Sequence, residues 1–453
     1  MYRFVVTLAA IAWLLIGPAI PAAADAQSGG SWATAAPMPT ARAGLAAATG
    51  SDGRIYAIGG YGADGASAAA VEAYDSTAKT WDTVAPMPTA RDALTAVAGA
   101  DGRIYAIGGE SSPKARSVQT APPATPFKGI ATVEVYDPHT NTWTAASPMP
   151  TARWGLTAAT GSDGSIYVAG GCTGTICDPA HFLNTVEVYS PSTNTWRTVA
   201  PLPTSRVYAQ AVSTTDGHIF VLGGCCKVTG ASGPALTETV EEYTISTNTW
   251  ATVTALPSPR FSSAAVTGHD GRIYVMGGTD IRNSNSPQAT VDAYTTSSNS
   301  WSGVAPMPTA RGALAAATGP DGRIFAIGGR TSSAGSKAVI LNTVEALTLP
   351  GTAPDAPATQ PASCTYVLGF KTIDDLIPAK VGTCLQNEGH NPTNGDAIQQ
   401  TTGGLLVWRK IDNWTAFTDG YRTWVNGPTG LQQRLNTQRF SWEANPDKLP
   451  VVH

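Results

Sequence analysis

Six arginines stand at comparable places along the chain: Arg42, Arg91, Arg153, Arg206, Arg260 and Arg311. Each ends a connector reading Pro-Met-Pro-Thr-Ala-Arg or close to it. A guanidinium is a planar fork of donors fitted to carboxylates and phosphates, so six of them around one opening would make an anion-binding mouth. Downstream of each lies an acid, in turn Glu72, Glu134, Glu187, Glu241, Asp292 and Glu345. These acids offer a second use for the arginines, as ion pairs that hold the framework and leave only some cations for a ligand. Trp154 beside Arg153, and Tyr208 shortly after Arg206, add aromatic faces that suit a sugar or peptide. The candidate ligand-binding residues are therefore Arg42, Arg91, Arg153, Trp154, Arg206, Tyr208, Arg260 and Arg311.

The elements that would carry these residues are repeated. A double glycine occurs six times, from Gly59-Gly60 to Gly328-Gly329, each time after an apolar strand such as Ile55-Tyr56-Ala57-Ile58. An Asp-Gly pair precedes each of those strands (Asp52-Gly53 is the first), which is the signal of a tight hairpin. A loop of variable length then leads to a third strand such as Val71-Glu72-Ala73-Tyr74, and a polar turn leads to Trp81, Trp143, Trp196, Trp250 or Trp301. Four strands in each of six units predict a radial β-propeller. The sixth unit runs into Pro350 after three strands and has Leu347 where the others have tyrosine, while Trp32 stands alone before the first unit. The segment around Trp32 is thus expected to supply the missing outer strand and close the ring, removing two open edges.

The order Asp-Gly, Ile-Tyr-x-x-Gly-Gly, Val-Glu-x-Tyr, Asn-Thr-Trp, Pro-Met-Pro-Thr-Ala-Arg resembles the Kelch repeat over residues 32–347. The resemblance implies a propeller of a kind that serves oxidases, sugar epimerases and protein-binding adaptors alike. It also implies that arginines near these positions contact ligands in adaptors for acidic peptides and in sialic acid epimerases. In an antiparallel blade, the Asp-Gly and Asn-Thr turns share one end, here the first face. The second-to-third loops and the blade connectors share the other, the second face. Loops on that face run from ten residues after Gly60 to Glu110–Thr132 after Gly109, and length variation on a rigid scaffold marks a binding face. A Kelch copper oxidase would need a histidine pair there, yet only His181 falls in a second-face loop; His139, His218 and His269 lie at first-face turns. An epimerase or mutarotase could be drawn from Arg153 with His181 or Glu187 as acid–base.

With 28 Lys+Arg against 32 Asp+Glu and 13% charged residues, the chain has no basic stripe of the sort nucleic acid requires. Residues 1–24 read as an export signal: Arg3, an apolar run from Phe4 to Ile16, and Ala22-Ala23-Ala24 as a cleavage site. No later segment is apolar enough to span a bilayer. Export makes the cysteines disulfide candidates: Cys172, Cys177, Cys225, Cys226, Cys364 and Cys384. Cys364 with Cys384 would staple a small domain. The other four pair either within their local groups or between them. No His-x-His or Cys-x-x-Cys supports a metal, and no cofactor is implied.

Residues 348–363 are a Pro/Ala/Thr-rich linker. Beyond them, 364–446 are expected to form a small α+β domain. It has a helix through Phe370, Ile373, Leu376 and Ile377, a strand from Gly404 to Lys410, a hairpin from Trp414 to Trp424 and a short final helix with Arg434 and Leu435. Gly404 to Lys410 and Trp424 to Pro428 resemble a module appended to varied secreted bacterial proteins, which implies an accessory role at a cell surface or wall polysaccharide. The whole reads as an all-β, six-bladed propeller (31–347) plus that domain, secreted or at the cell surface. It is expected to bind an acidic peptide or glycan; the competing readings are a Kelch-type sugar isomerase and a structural surface protein.

Overall fold

The computed structural model describes residues 29–112, 128–174, 179–214, 216–227, 234–280, 286–331 and 338–350, together with strand backbones between 389 and 452. Blade 1 is a four-stranded antiparallel sheet, from the axis outward Ala46–Thr49, Ile55–Ile58, Val71–Asp75 and Thr80–Thr83. Blades 2 to 5 repeat that order, beginning at Thr95–Ala98, Thr157–Thr160, Gln210–Ser213 and Ala264–Thr267. Blade 6 takes Ala315–Thr318, Ile324–Ile327 and Val344–Thr348 from the end of the propeller and Ser31–Ala35 from its beginning. The seal is antiparallel, with Ser31 opposite Thr348, Trp32 opposite Leu347 and Ala35 opposite Val344.

The second strands are buried throughout, and their sequence shows why. Strand side chains alternate between two faces, and each blade is packed between two others. Tyr56 and Ile58 join Leu94, Ala96, Ile104 and Tyr136 of blade 2, whereas Ile55 and Ala57 join Ala315, Phe325 and Ile327 of blade 6. A strand covered on both faces must be apolar at every position. Each tryptophan of an outer strand donates its indole N–H to the connector entering its own blade. Trp81 reaches the Ala36 carbonyl at 2.8 Å and Trp143 that of Ala85 at 2.8 Å. Trp32 makes the equivalent bond to Ala305 at 2.7 Å, so it is the blade 6 member of the set.

The Asn of the third-to-fourth turn has a similar role. Asn141, at φ 53°, accepts from the Tyr136 hydroxyl at 2.9 Å and from the Ala85 N–H at 2.8 Å. Asn194, Asn248 and Asn299 repeat both the left-handed backbone and the two bonds. Asparagine tolerates that backbone better than most residues.

Beyond the propeller, the described strands form an antiparallel sheet in chain order: Gly389–His390, Ala397–Thr401, Gly404–Arg409, Trp414–Thr418, Arg422–Gly427 and Gly430–Leu435. The expected strand at 404 and the hairpin after Trp414 are present. The expected final helix is not: Arg434 and Leu435 belong to a strand paired with Arg422–Gly427 from Gly427–Gly430 to Arg422–Leu435. Leu431 and Leu435 are four apart, which suits a helix turn and also the alternate residues of a strand. The helix expected through Phe370 to Ile377, the cysteines Cys364 and Cys384, the export signal and all of the linker after Pro350 lie outside the described residues. Among the described residues no helix is long and apolar enough to cross a membrane.

Blade 1 departs from the turn pattern, since Lys79 takes the left-handed position at φ 58°. Lys79→Asn should supply the acceptor that the other turns have and raise stability by about 1 kcal/mol. A urea unfolding midpoint that fails to rise would contradict this role for the Asn turns.

Candidate binding face

The six repeat arginines lie at the second-face end of the blades, as expected, but inside the wall. All are at most 1% exposed. Each forms an ion pair with the acid opening its own blade's third strand: Arg42–Glu72, Arg91–Glu134, Arg153–Glu187, Arg206–Glu241, Arg260–Asp292 and Arg311–Glu345, at 2.5 to 2.9 Å. The rest of the connector motif serves the same pair. Thr40 donates to Glu72 at 2.8 Å, and Thr151 to Glu187 at 2.7 Å. Arg42 also donates to the carbonyls of Gly59 at 2.7 Å and Ala70 at 2.9 Å. Burial pulls the guanidinium pKa values of Arg42, Arg91, Arg153, Arg260 and Arg311 down, and it pushes the Glu241 and Asp292 carboxyls up, their arginines offsetting part of that. The expectation that these arginines line an open mouth is therefore corrected. A guanidinium and a carboxylate at the same end of a blade gain more from each other than either would from remaining alone in a low-dielectric wall.

Past each arginine the chain bends inward, and the next residue but one adopts a left-handed backbone. These residues are Gly44, Ala93, Gly155, Tyr208, Ser262 and Ala313. Their backbones close a ring: the N–H of Gly44 bonds to Ala313, Ala93 to Gly44, Gly155 to Ala93, Tyr208 to Gly155, Ser262 to Tyr208 and Ala313 to Ser262, at 2.8 to 3.3 Å. Below this ring runs a channel of about 430 Å³ lined by the innermost strands, with Gln210, threonines and Ser213 its polar side chains and no ionisable group. The channel is a neutral duct, and the chemistry of this face lies above the ring.

Around the ring, the residue after each arginine pairs with the residue after the double glycine of the same blade. The pairs are Ala43–Tyr61, Asp92–Glu110, Trp154–Cys172, Val207–Cys225, Phe261–Thr279 and Gly312–Arg330. Trp154 is fully buried and donates its indole N–H to the Gly174 carbonyl at 2.8 Å. Tyr208 is half-buried, with its ring 5.6 Å from Trp154 and 6.2 Å from Phe261. Cys172, Cys225, Phe182 and Val207 complete a small apolar core under this arc. Cys172 and Cys225 therefore lie in one cluster. Cys177 and the Cys226 side chain lie outside the described residues, as do residues 113–127 of the longest loop. His181 is exposed on its loop, in the short turn Pro179–His181, and does not meet Arg153 in the wall. Among the described residues no three His, Cys, Asp or Glu gather as metal ligands.

Tyr61, Asp92, Glu110, Phe261, Thr279 and Arg330 were not singled out from the sequence. The signal was there in a form opposite to a motif. They occupy equivalent places in six repeats, flanked by near-invariant Arg and Gly-Gly, yet differ from blade to blade.

Six blades with the double-glycine, buried Arg–acid and Trp–connector pattern define a Kelch-type propeller. The profile of the KLHDC2/KLHL20/DRC7 Kelch-repeats domain matches residues 27–224 and 125–329, and the chain belongs to the Kelch-repeat family. It is 31% identical over 192 residues to Kelch-like protein terF of Aspergillus terreus, covering 41% of this chain and 40% of that one. Alpha-scruin of Limulus polyphemus is 30% identical over 150 residues, 33% of this chain and 16% of its own length. The chain thus spans less than half the length of these relatives. Among solved structures, one described as "Structure of YjhT" is similar with a TM-score of 0.53 and 20% identity, covering 68% of this chain and 95% of that one, which shows the fold.

Removing the acid of one pair tests the wall. Glu187→Ala leaves Arg153 buried without its counter-charge and should cost about 3–5 kcal/mol in urea unfolding. Adding Arg153→Met should recover part of that loss. A double variant less stable than Glu187→Ala alone would mean that the arginine holds the blade without its acid.

Proposed function

We propose that the chain is an exported binding protein that takes an acidic glycan or peptide on the second face of its propeller. The Kelch propeller typically mediates protein binding, and binding surfaces concentrate on uneven loops over a rigid frame. The observation that carries the reading is Tyr208. It holds a left-handed backbone at φ 55°, in a ring position where the other blades have glycine, alanine or serine. Ala93, Ser262 and Ala313 share that backbone, but Tyr208 alone sets a large side chain on it, and a cost of that kind borne in one repeat of six is a mark of function rather than of folding. Its half-exposed ring, beside a half-exposed Phe261, offers a stacking platform at the mouth.

The leader-like residues 1–24 support export. The sheet beyond residue 389 suits an accessory role at cell-wall polysaccharide, which a pull-down of the full chain on purified wall would check. The isomerase reading needs Arg153 with Glu187 or His181 as a working acid–base, but Arg153 and Glu187 neutralise one another inside the wall and His181 lies apart. Binding without catalysis is the reading with support.

A glycan-and-peptide array probed with the full chain tests this directly. Tyr208→Gly should reduce the signal at least tenfold. Its stability should change by less than about 1 kcal/mol, because relief of the strained backbone offsets the lost aromatic contacts. Undiminished signal in the variant would remove Tyr208, and this face with it, from the ligand site.

A further inference from the structure

The six repeat arginines are neutralised in the wall, so an acidic ligand needs another cation, and blade 6 holds one. Arg330 follows the last double glycine, is half-buried, and its guanidinium makes no hydrogen bond or ion pair among the described residues. Its partner across the bridge is Gly312, in the place where other blades carry Ala43, Asp92, Trp154, Val207 and Phe261. Gly312 is not in the left-handed region, so backbone conformation does not call for glycine there. Space does. A Cβ on Gly312 would collide with Oγ1 of Thr279 from blade 5. That hydroxyl also makes no hydrogen bond among the described residues.

The threonine hydroxyl thus lies directly against Gly312, and two donors without partners among the described residues, one of them charged, flank this glycine. Thr279 in turn pairs with Phe261, and Phe261 lies against Tyr208. The residues Tyr208, Phe261, Thr279, Gly312 and Arg330 form a continuous path across blades 4, 5 and 6, with aromatic faces at one end and anion donors at the other.

We propose that Arg330 and Thr279, on either side of Gly312, form a carboxylate subsite, and that the ligand is a carboxylated sugar whose ring stacks on Tyr208 and Phe261. This rests on the binding face argued above and specifies its ligand. A pyranose presents a flat apolar face to an aromatic ring, while a carboxylate on the same ring meets a guanidinium and a hydroxyl. An extended acidic peptide would use the donors but has no need of the aromatic arc.

The test is calorimetric titration of the full chain with paired oligosaccharides, each ending either in a hexuronate or in the corresponding neutral hexose, alongside acidic peptides. The wild-type protein should bind the uronate member at least tenfold more tightly than the neutral one, with the margin shrinking at high salt. Arg330→Gln should bring the two within about twofold by weakening binding of the uronate member. Gly312→Ala should weaken uronate binding although Arg330 remains. A preference for uronate that survives Arg330→Gln overturns the subsite while leaving the Tyr208 face in place. Binding confined to acidic peptides overturns the sugar assignment. A wild-type chain that takes none of these ligands overturns the binding face as well.

Discussion

A guanidinium moved from water into a protein wall loses several kcal/mol of hydration unless its donors find acceptors. In each blade of this propeller the Arg–carboxylate pair sets that requirement, and much of the repeat follows from meeting it. The acid has to open the third strand, and a threonine two residues before the arginine helps to satisfy it in most of the blades, as Thr40 does for Glu72 and Thr309 for Glu345. In most blades the carbonyl of the first glycine points inward to accept from the arginine, as Gly59 does for Arg42 and Gly328 for Arg311. That orientation places Gly59 at φ 63° and Gly60 at φ 92°, and a Cβ on Gly59 would sit 2.6 Å from the Arg91 carbonyl oxygen. Thr-Ala-Arg, Gly-Gly and Val-Glu are thus three parts of one buried network rather than three signatures.

The same network shapes the mouth. Once the arginine is anchored, the connector must turn sharply to begin the innermost strand, and the turn puts the second residue after the arginine into the left-handed region. Six such turns meet around the axis and satisfy one another through the ring of backbone bonds. Because side chains play no part in that ring, the frame leaves its side chains and those just outside it unspecified. Blades 3 to 5 fill these positions with Trp154, Tyr208 and Phe261, blade 2 with the buried acids Asp92 and Glu110, and blade 6 with Gly312 and Arg330. A six-fold framework thereby carries a one-sided surface.

This division explains what could be read from the chain alone. Blade number, strand order and closure by the Trp32 strand were legible because each rests on a pattern repeated six times. The placement of the arginines at the second-face end was also legible. Their environment was left between two uses, and buried pairing is the one that the energetics of a dry wall select. The mouth residues were obscure for the opposite reason. Tyr61, Phe261 and Arg330 belong to no motif, and their kinship appears only when the bridges Ala43–Tyr61, Phe261–Thr279 and Gly312–Arg330 put them in register. At the C-terminal end, Leu431 and Leu435 satisfied two periodicities at once, and cross-strand pairing decided between them.

The seal between the first and last strands ties this surface to the whole fold. Pairing Ser31–Ala35 with Val344–Thr348 closes a loop of roughly 300 residues, an entropic cost of about 5 kcal/mol beyond that of a minimal loop. A five-residue ladder and the Trp32 indole bond to Ala305 oppose that cost. The bond from Gly44 N–H to the Ala313 carbonyl spans the same junction and completes the mouth ring. Blade 6, which the seal completes, also carries Gly312 and Arg330. A ligand held across blades 4 to 6 would thus rest on sheets that include the one sealed last in sequence terms, and by binding only the closed ring it would stabilise that closure through mass action. In this propeller, ring closure and ligand capture draw on the same blade.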